Sequence, residues 1–396
     1  MRFIRYMIIC LPLLTFSAAA QEHSTNQEIR AILEKVHLDS IKQTVRDLTG
    51  VDPVNVEGIS HRITSRYKTA AGNAIAGKYL AQRLAEYGYQ PVVQGFGATG
   101  ENIYALKTGR LHPEKAYVIC AHYDATANYY DKAIGADDNA SGCAGVMEAA
   151  RLLKDAETDY SVMFIFFDEE EQGLIGSAAF TDLFDFDETA IQGVINLDMI
   201  AYDNNNDMKA DIHARPVAGS LLMSDYVLAL NDTFSIGLNL SVTNPGSVAS
   251  DHASFWNKKI AAVFISEDKF DFHRYYHTIY DSIQYFNDSF FFRNVRLGIA
   301  SLSWFVMNGE LSVSGSSLMK MPPPLVYPNP AEKILYIHVH SAHASVRIHD
   351  LQGKLCAAYV LSSGQEQIQL NLPAGVYSLE IKEEERINYS KLIILR

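Results

Sequence analysis

The sequence predicts a three-layer α-β-α sandwich followed by a small all-β module. Short apolar runs alternate with amphipathic helical segments through most of the chain. The runs are apolar at every position rather than every second one, as in strands that helices cover on both faces. Past residue 310 the composition turns to Ser and Pro, and then to short alternating strands separated by turn residues. At 396 residues the chain is too long for one ordinary domain, and 48% apolar with 20% charged residues is a globular balance.

The first twenty residues are set apart from the fold. Arg2 and Arg5 precede an apolar core from Met7 to Phe16, and Ala18-Ala19-Ala20 offers a small-residue cleavage site. This is the pattern of a signal peptide cut after Ala20. The apolar core is shorter than the roughly 18 residues that span a bilayer, and no later stretch reaches that length, so no transmembrane segment is expected. Cys10 leaves with the leader and lies mid-core, away from a lipidation site. Cys120, Cys143 and Cys356 remain, an odd number that fits neither a disulfide framework nor a thiolate zinc site.

Residues 21 to about 60 begin as a helix, with Ile29, Ile32, Leu33 and Val36 at helical spacing. A second helix has Asn73 as its cap, Ala76, Tyr79, Leu80, Leu84 and Tyr87 on one face, and Gly88 as its stop. Strands follow at Tyr117–Ala121, Val162–Phe167, Val194–Leu197 and Ala261–Ile265, with a helix from Cys143 to Lys154 and a long one from Phe290 to Met307. Residues 311–325, rich in Ser and holding Pro322-Pro323-Pro324, read as a linker. From Val326 to the end, turn signals at Asp350–Gly353, Ser362–Gly364 and Pro373–Gly375 separate short strands. The net charge of −13, from 33 Lys+Arg against 46 Asp+Glu, has no basic block to offset it, which makes anionic membrane surfaces poor partners and excludes nucleic acid.

The chemistry lies just past the end of each strand. The first ends in His122-Tyr123-Asp124, and Gly135-Ala136-Asp137-Asp138-Asn139-Ala140-Ser141-Gly142 then leads into a helix. The next ends in Asp168-Glu169-Glu170-Glu171-Gln172-Gly173, another in Asp198, and His277-Thr278-Ile279-Tyr280-Asp281 comes later. Ligands of open α/β sheets bind beyond the carboxyl ends of the strands, so these acids and imidazoles should converge. Two histidines with several carboxylates and no thiolate suit Zn²⁺, ahead of Mn²⁺ or Co²⁺. The acids are too many for one tetrahedral ion and suit a pair bridged by a carboxylate and a water, which would hydrolyse an amide without a covalent intermediate. The run of three glutamates leaves open which of them acts in which role.

HYD, GADDNASG, DEEEQGLIGS, NLD and HTxxD, in this order and spacing, resemble peptidase family M28, the zinc-dependent aminopeptidases, over roughly residues 75–305. The resemblance implies a zinc-exopeptidase-like fold with a mixed, mostly parallel sheet over residues 21–310. It also implies two zinc ions per chain: His122 and Asp198 on one, Glu171 and His277 on the other, with Asp138 bridging. Glu170 would be general base and acid for the metal-bridged water, with Asp124 orienting His122. The family pattern sets the pair at Glu170-Glu171, leaving Glu169 a neighbour, and prefers Asp138 to Asp137 as the bridge. Met199, Phe270 and Tyr276 are candidates for an apolar substrate pocket. His252 is assigned a structural role, and His61, His112, His213, His273 and the tail histidines are read as surface or packing residues. The loop from Asp203 to Asp207 reads as a polar turn rather than a Ca²⁺ site.

The resulting expectation is a secreted aminopeptidase acting on peptide substrates. The fold would also serve a glutaminyl cyclase, although cyclases commonly interrupt the EEQGLIGS stretch and place Trp before the last His, where Tyr276 stands here. A carboxypeptidase would use Arg274 and Arg215 as carboxylate clamps; His273-Arg274 stands where bacterial relatives often show Asn-Pro. A non-catalytic surface adhesin would have lost a ligand, and every ligand position is filled. In the tail, Val326-Tyr327-Pro328-Asn329-Pro330, Asp350 with Gly353, and Leu372-Pro373-Ala374-Gly375-Val376-Tyr377 resemble the type IX secretion sorting domain of Bacteroidetes. That resemblance implies a β-sandwich over 326–396 handled by the type IX machinery, and export through the periplasm to the cell surface or medium.

Overall fold

The computed structural model describes residues 25–309, 325–327, 330–350, 353–383 and 386–395. The leader at 1–20, linker residues 311–324, and Pro328 and Asn329 of the tail motif lie outside the described residues. The chain divides into two units, Met1–Val313 and Ser314–Arg396.

The first unit starts with helices α1 (25–33) and α2 (Leu38–Leu48), a short hairpin of β1 (Val54–Val56) and β2 (Ile59–His61), and helix α3 (Ala71–Glu86). The main sheet is built from β3 (Val92–Phe96), β4 (Gly100–Lys107), β5 (His112–His122), β6 (Tyr160–Phe167), β7 (Ala190–Leu197), β8 (Lys209–His213), β9 (Asn239–Thr243) and β10 (Ala262–Glu267). Helices α4 (Gly142–Leu153), α5 (Ile175–Leu183), α6 (Ser220–Thr233), α7 (His252–Asn257) and α8 (Asp288–Asn308) connect or close it. The strand order is β3-β4-β6-β5-β7-β10-β8-β9, with β6, β5, β7 and β10 mutually parallel and β4 and β8 antiparallel to their inner neighbours.

Side-chain alternation along the central strands builds the three layers. Tyr117, Ile119 and Ala121 of β5, with Val162, Phe164 and Phe166 of β6, join one core with α2, α3, α4, α6 and α8. Val118, Cys120, Met163, Ile165 and Phe167 point the other way, onto Phe180 of α5 and Phe255 and Trp256 of α7. Every residue of β6 is buried, which is why the sequence shows it as an unbroken apolar run. The outer strands β3 and β9 are short and largely uncovered, so their apolar content is too low to mark them in the sequence.

Asn73 does not cap α3. It sits in the first turn, buried, and its Nδ2 donates to Asp168 Oδ1 at 2.8 Å and to the Arg66 carbonyl at 3.2 Å. A long-range tertiary bond has taken the side chain from its local role. Gly88, at φ +95°, does end that helix in the left-handed region that favours glycine.

The named strands of the second unit pair antiparallel: β11 (Leu325–Tyr327), β12 (Ile334–His349), β13 (Leu355–Gln369), β14 (Gly375–Glu383) and β15 (Arg386–Ile394). Leu335, Ile337, Val346, Ile348, Leu379 and Ile381 supply its core. Ser362–Gly364, expected as a turn, lies within β13, opposite a register shift between Val339 and His343 of β12. The ladder continues through this irregularity rather than ending the strand. Among the described residues, no helix is long and apolar enough to cross a membrane.

Candidate metal centre

The parallel strands β5, β6 and β7 deliver His122, the Glu170–Glu171 turn and Asp198 to one edge of the sheet. The 135–142 turn adds Asp138, and the 273–281 loop adds His277, held by the Asn128 amide donating to the His277 carbonyl at 3.1 Å. The glycines of the 135–142 turn are required by space. A Cβ on Gly135 would collide with the Asp138 carbonyl oxygen, and one on Gly142 with that of Leu197. Asn139 ties the same turn to β7, donating from Nδ2 to the Leu197 carbonyl at 2.9 Å and accepting the Gly142 amide at 2.8 Å.

Two trios of ligand atoms result, His122–Glu170–Asp198 and Asp138–Glu171–His277. His122 Nε2 lies 3.3 Å from Asp198 Oδ1 and 3.2 Å from Asp138 Oδ1. On the other side, His277 Nε2 is 3.2 Å from Asp138 Oδ2 and 2.9 Å from Glu171 Oε2. Asp138 thus turns one oxygen to each histidine. Glu170 Oε2 stands further off, 3.9 Å from His122 Nε2. Asp124 lies behind, with Oδ1 3.4 Å from His122 Nδ1, while its two oxygens accept the Glu170 amide (3.1 Å) and the Glu171 amide (3.3 Å).

The donor set fits a pair of zinc ions. Ligand atoms about 2.0–2.1 Å from a tetrahedral ion stand about 3.3 Å from one another, and the closest His–carboxylate separations here run from 2.9 to 3.3 Å. His277 Nε2 is buried without a well-aligned hydrogen bond despite those short contacts, as expected of groups that face a shared cation rather than each other. The electrostatics agree. Burial pushes Glu171 up to about 8 and drives Glu170 and Asp198 upward as well, with neighbouring acids adding to the effect. At Asp138 burial is outweighed by His122 and His277, which hold its carboxyl below the usual range. Burial works against the charge on both histidines, yet Asp198 and Glu170 raise His122, and Asp138 and Glu171 raise His277 to about 10. Four carboxylates face two histidines in this pocket, an excess of acid that a bound cation would offset.

Three supporting groups escaped the sequence reading. Asp281, the last residue of HTIYD, accepts the Asp137 amide at 2.9 Å and the Asp138 amide at 3.0 Å, so it clamps the backbone of the shared carboxylate. Ser250 donates to Asp198 Oδ2 at 2.7 Å and accepts from Asn196 at 2.6 Å. Asp137 accepts the Ala201 amide at 2.9 Å, joining the same turn to the segment after β7. The spacing of Asp281 from His277 was visible, but its backbone partners lie more than 140 positions away. His277, Met199 and Glu169 all adopt left-handed backbone without being glycine, a strain that gathers at sites the surrounding structure over-determines.

The pocket candidates separate. Tyr276 stacks on the His277 ring with centroids 3.6 Å apart and meets Phe272 edge-on at 5.0 Å. Met199 is buried, while Phe270 is 81% exposed beneath Lys209 and Lys269. Arg274 is engaged by the Tyr202 hydroxyl at 3.0 Å and Asn204 Oδ1 at 2.6 Å. Arg215 donates to the Gly246 carbonyl at 2.8 Å and lies over Trp256. His252 is buried, with Nε2 2.8 Å from the Ser247 carbonyl, and burial lowers its pKa to about 3.

Sandwich, strand-end site and paired trios define a protein of the metallopeptidase class. Residues 102–300 match the model of peptidase family M28, and the chain belongs to that family. Residues 325–395 match the secretion system C-terminal sorting domain. Among curated proteins, a probable zinc metalloprotease of Pyrenophora tritici-repentis is 28% identical, over 44% of this chain and 39% of its own length. An aminopeptidase of Bacillus subtilis is 34% identical, over 47% of this chain and 40% of its own. The chain thus spans less than half the length of these relatives. Among solved structures, the LapA aminopeptidase of Legionella pneumophila aligns with a TM-score of 0.61 at 24% identity, covering 72% of this chain and 75% of that one. A glutaminyl cyclase of Porphyromonas gingivalis aligns at 0.54 and 19% identity, covering 67% and 97%. The fold is therefore shared by both activities and does not separate them.

Proposed function

We propose that this chain is a secreted di-zinc aminopeptidase that releases N-terminal residues from peptides. The observation that carries the reading is the placement of Asp138, one oxygen 3.2 Å from each histidine of two otherwise separate trios. His122 and Asp198 would hold one zinc, Glu171 and His277 the other, and Asp138 would touch both. Such a pair, when bound, polarises the scissile carbonyl and lowers the pKa of water toward neutrality.

The protein's own groups do the rest. Glu170, the member of its trio furthest from His122 Nε2 at 3.9 Å, takes the proton of the attacking water on its carboxylate and passes it to the leaving amine nitrogen. Asp124 fixes the imidazole of His122 through Nδ1 and, through the amides of Glu170 and Glu171, sets where both carboxylates stand. Tyr276, flat against His277, walls the mouth of the site, and its hydroxyl is kept protonated by burial and by the surrounding acids. The leader at 1–20 would take the chain to the periplasm, and the tail would hand it to the type IX machinery for release or surface attachment.

Peptidase is favoured over cyclase by Tyr276 and the unbroken Glu170–Ser177 stretch, and over carboxypeptidase by the commitments of Arg274 and Arg215. The test is an assay of the purified, zinc-loaded full chain on aminoacyl, N-blocked and N-terminal-Gln peptides. Release of N-terminal residues from free-amine substrates, with none from N-blocked ones, is expected. Conversion of N-terminal Gln to pyroglutamate, with loss of ammonia and the peptide bonds left intact, or release from the carboxyl end, overturns the reading.

A further inference from the structure

We infer that Arg66, which precedes the stretch matched by the M28 family model, is the positioning residue that keeps three ligand-bearing loops of the metal centre in register. The inference rests on the proposed di-zinc reading of that centre.

Arg66 is fully buried, and its guanidinium is spent on main-chain carbonyls. Nε donates to the Tyr123 carbonyl at 2.6 Å, Nη1 to Leu48 at 2.9 Å and also to Ile134, and Nη2 to Gly135 at 2.8 Å. The backbone of the same residue adds two more ties: its amide donates to the Ala133 carbonyl at 2.8 Å, and its carbonyl accepts the Ala125 amide at 3.1 Å. Tyr123 and Ala125 bracket Asp124, immediately after His122. Residues 133–135 lead directly into Asp138. The third loop is reached through Asn73, whose Nδ2 joins the Arg66 carbonyl at 3.2 Å to Asp168 Oδ1 at 2.8 Å, just ahead of Glu170 and Glu171.

One residue therefore ties together the loops that carry His122, Asp138 and the glutamate pair, and its bond to Leu48 anchors them all to the end of α2. Those loops meet at a site crowded with carboxylates that repel one another, so their spacing has to be imposed by the frame. A planar guanidinium presents several donors in fixed directions and can serve carbonyls on separate segments at once. A lysine ammonium in the same place keeps the charge but loses the fork. This also explains a buried cation satisfied by carbonyl dipoles: its task is directional.

The experiment uses the purified full chain, with zinc affinity measured by chelator competition, zinc per chain by mass spectrometry, and kcat and KM on an aminoacyl substrate. R66K is expected to fold by circular dichroism, while its zinc affinity falls about 10–100-fold, the usual cost of losing a group that orients metal ligands. Its kcat should fall about tenfold or more with KM within about threefold. I41V, which trims the α2 core away from these ties, should lower the melting temperature and leave zinc affinity unchanged. Wild-type zinc affinity in R66K, or an equal loss in I41V, overturns the inference. If R66K does not fold, N73A decides: weakened zinc binding supports the relay through Asn73, and unchanged binding overturns it. A wild-type chain that binds zinc without releasing N-terminal residues defeats the aminopeptidase reading alone, because the zinc titrations do not depend on turnover.

Discussion

Replacing Glu170 with glutamine separates the two roles its position allows. Glu170 falls among the His122 and Asp198 ligand atoms, yet its 3.9 Å from His122 Nε2 exceeds the 3.2 and 3.3 Å of Asp138 and Asp198. The substitution keeps the side chain's size and leaves the residue-170 amide on Asp124 Oδ1 at 3.1 Å, so the turn should hold its shape. What is lost is the ability to take a proton. General acid–base groups typically contribute about 10²–10⁴-fold, which at about 1.36 kcal/mol per decade is roughly 2.7–5.4 kcal/mol of barrier. E170Q should therefore bind two zinc ions per chain while kcat falls by that factor and KM changes little. Zinc per chain by mass spectrometry and steady-state kinetics on an aminoacyl substrate measure both. Loss of one zinc would make Glu170 a ligand, and turnover within tenfold of wild type would remove it from proton transfer; either result refutes the assignment.

Other expectations come from the same geometry. E169Q should stay within about fivefold of wild-type kcat, because Glu169 pairs with Lys68 at 3.3 Å and belongs to neither trio; a loss as large as that of E170Q would shift the catalytic frame by one residue. Chelation should abolish activity and Zn²⁺ should restore it, so an enzyme indifferent to chelator argues against the metal reading. Metal-free protein should melt at a higher temperature at pH 5.5 than at pH 8. Burial pushes Asp137 and Glu171 up to about 8 and Asp251 and Asp281 to about 7, whereas an unfolded chain ionises such groups near 3.8–4.5. The folded state thus keeps protons that the unfolded state has released, and stability present below about pH 4 is lost as pH climbs through 7 and 8. Saturating zinc should narrow or reverse the difference, and a chelated protein that melts higher at pH 8 contradicts the sign. Deleting residues 326–396 should retain the protein in the cell envelope at unchanged specific activity, and unimpeded export would remove the sorting role of the tail.

Much of this molecule was legible before any folding. The buried parallel strands announced themselves as unbroken apolar runs, because a strand covered on both faces admits few polar side chains. Chemistry-bearing residues clustered directly after those runs, so both the sheet and the kind of site beyond its edge could be read from one pass along the chain. The edge strands β3 and β9 could not, since half-exposed strands dilute the pattern until turns and strands look alike. Asn73 and Ser362–Gly364 show the same limit in reverse: a residue type suited to a cap or a turn was used for something else once a distant partner offered more.

Residue kinds at the strand ends suggested a metal site and the family resemblance supplied the candidate ligands, whereas their grouping into two trios, with Asp138 turned to both histidines, exists only in the folded chain. Distances of 2.9–3.3 Å among atoms separated by up to 139 positions come from parallel strand ends meeting the 135–142 turn and the 273–281 loop. The supports are less legible still. Asp281 and Arg66 act through main-chain amides and carbonyls, which every residue carries alike. Local sequence can show that a carboxylate or a guanidinium is present, but which backbone groups it will hold is settled by packing.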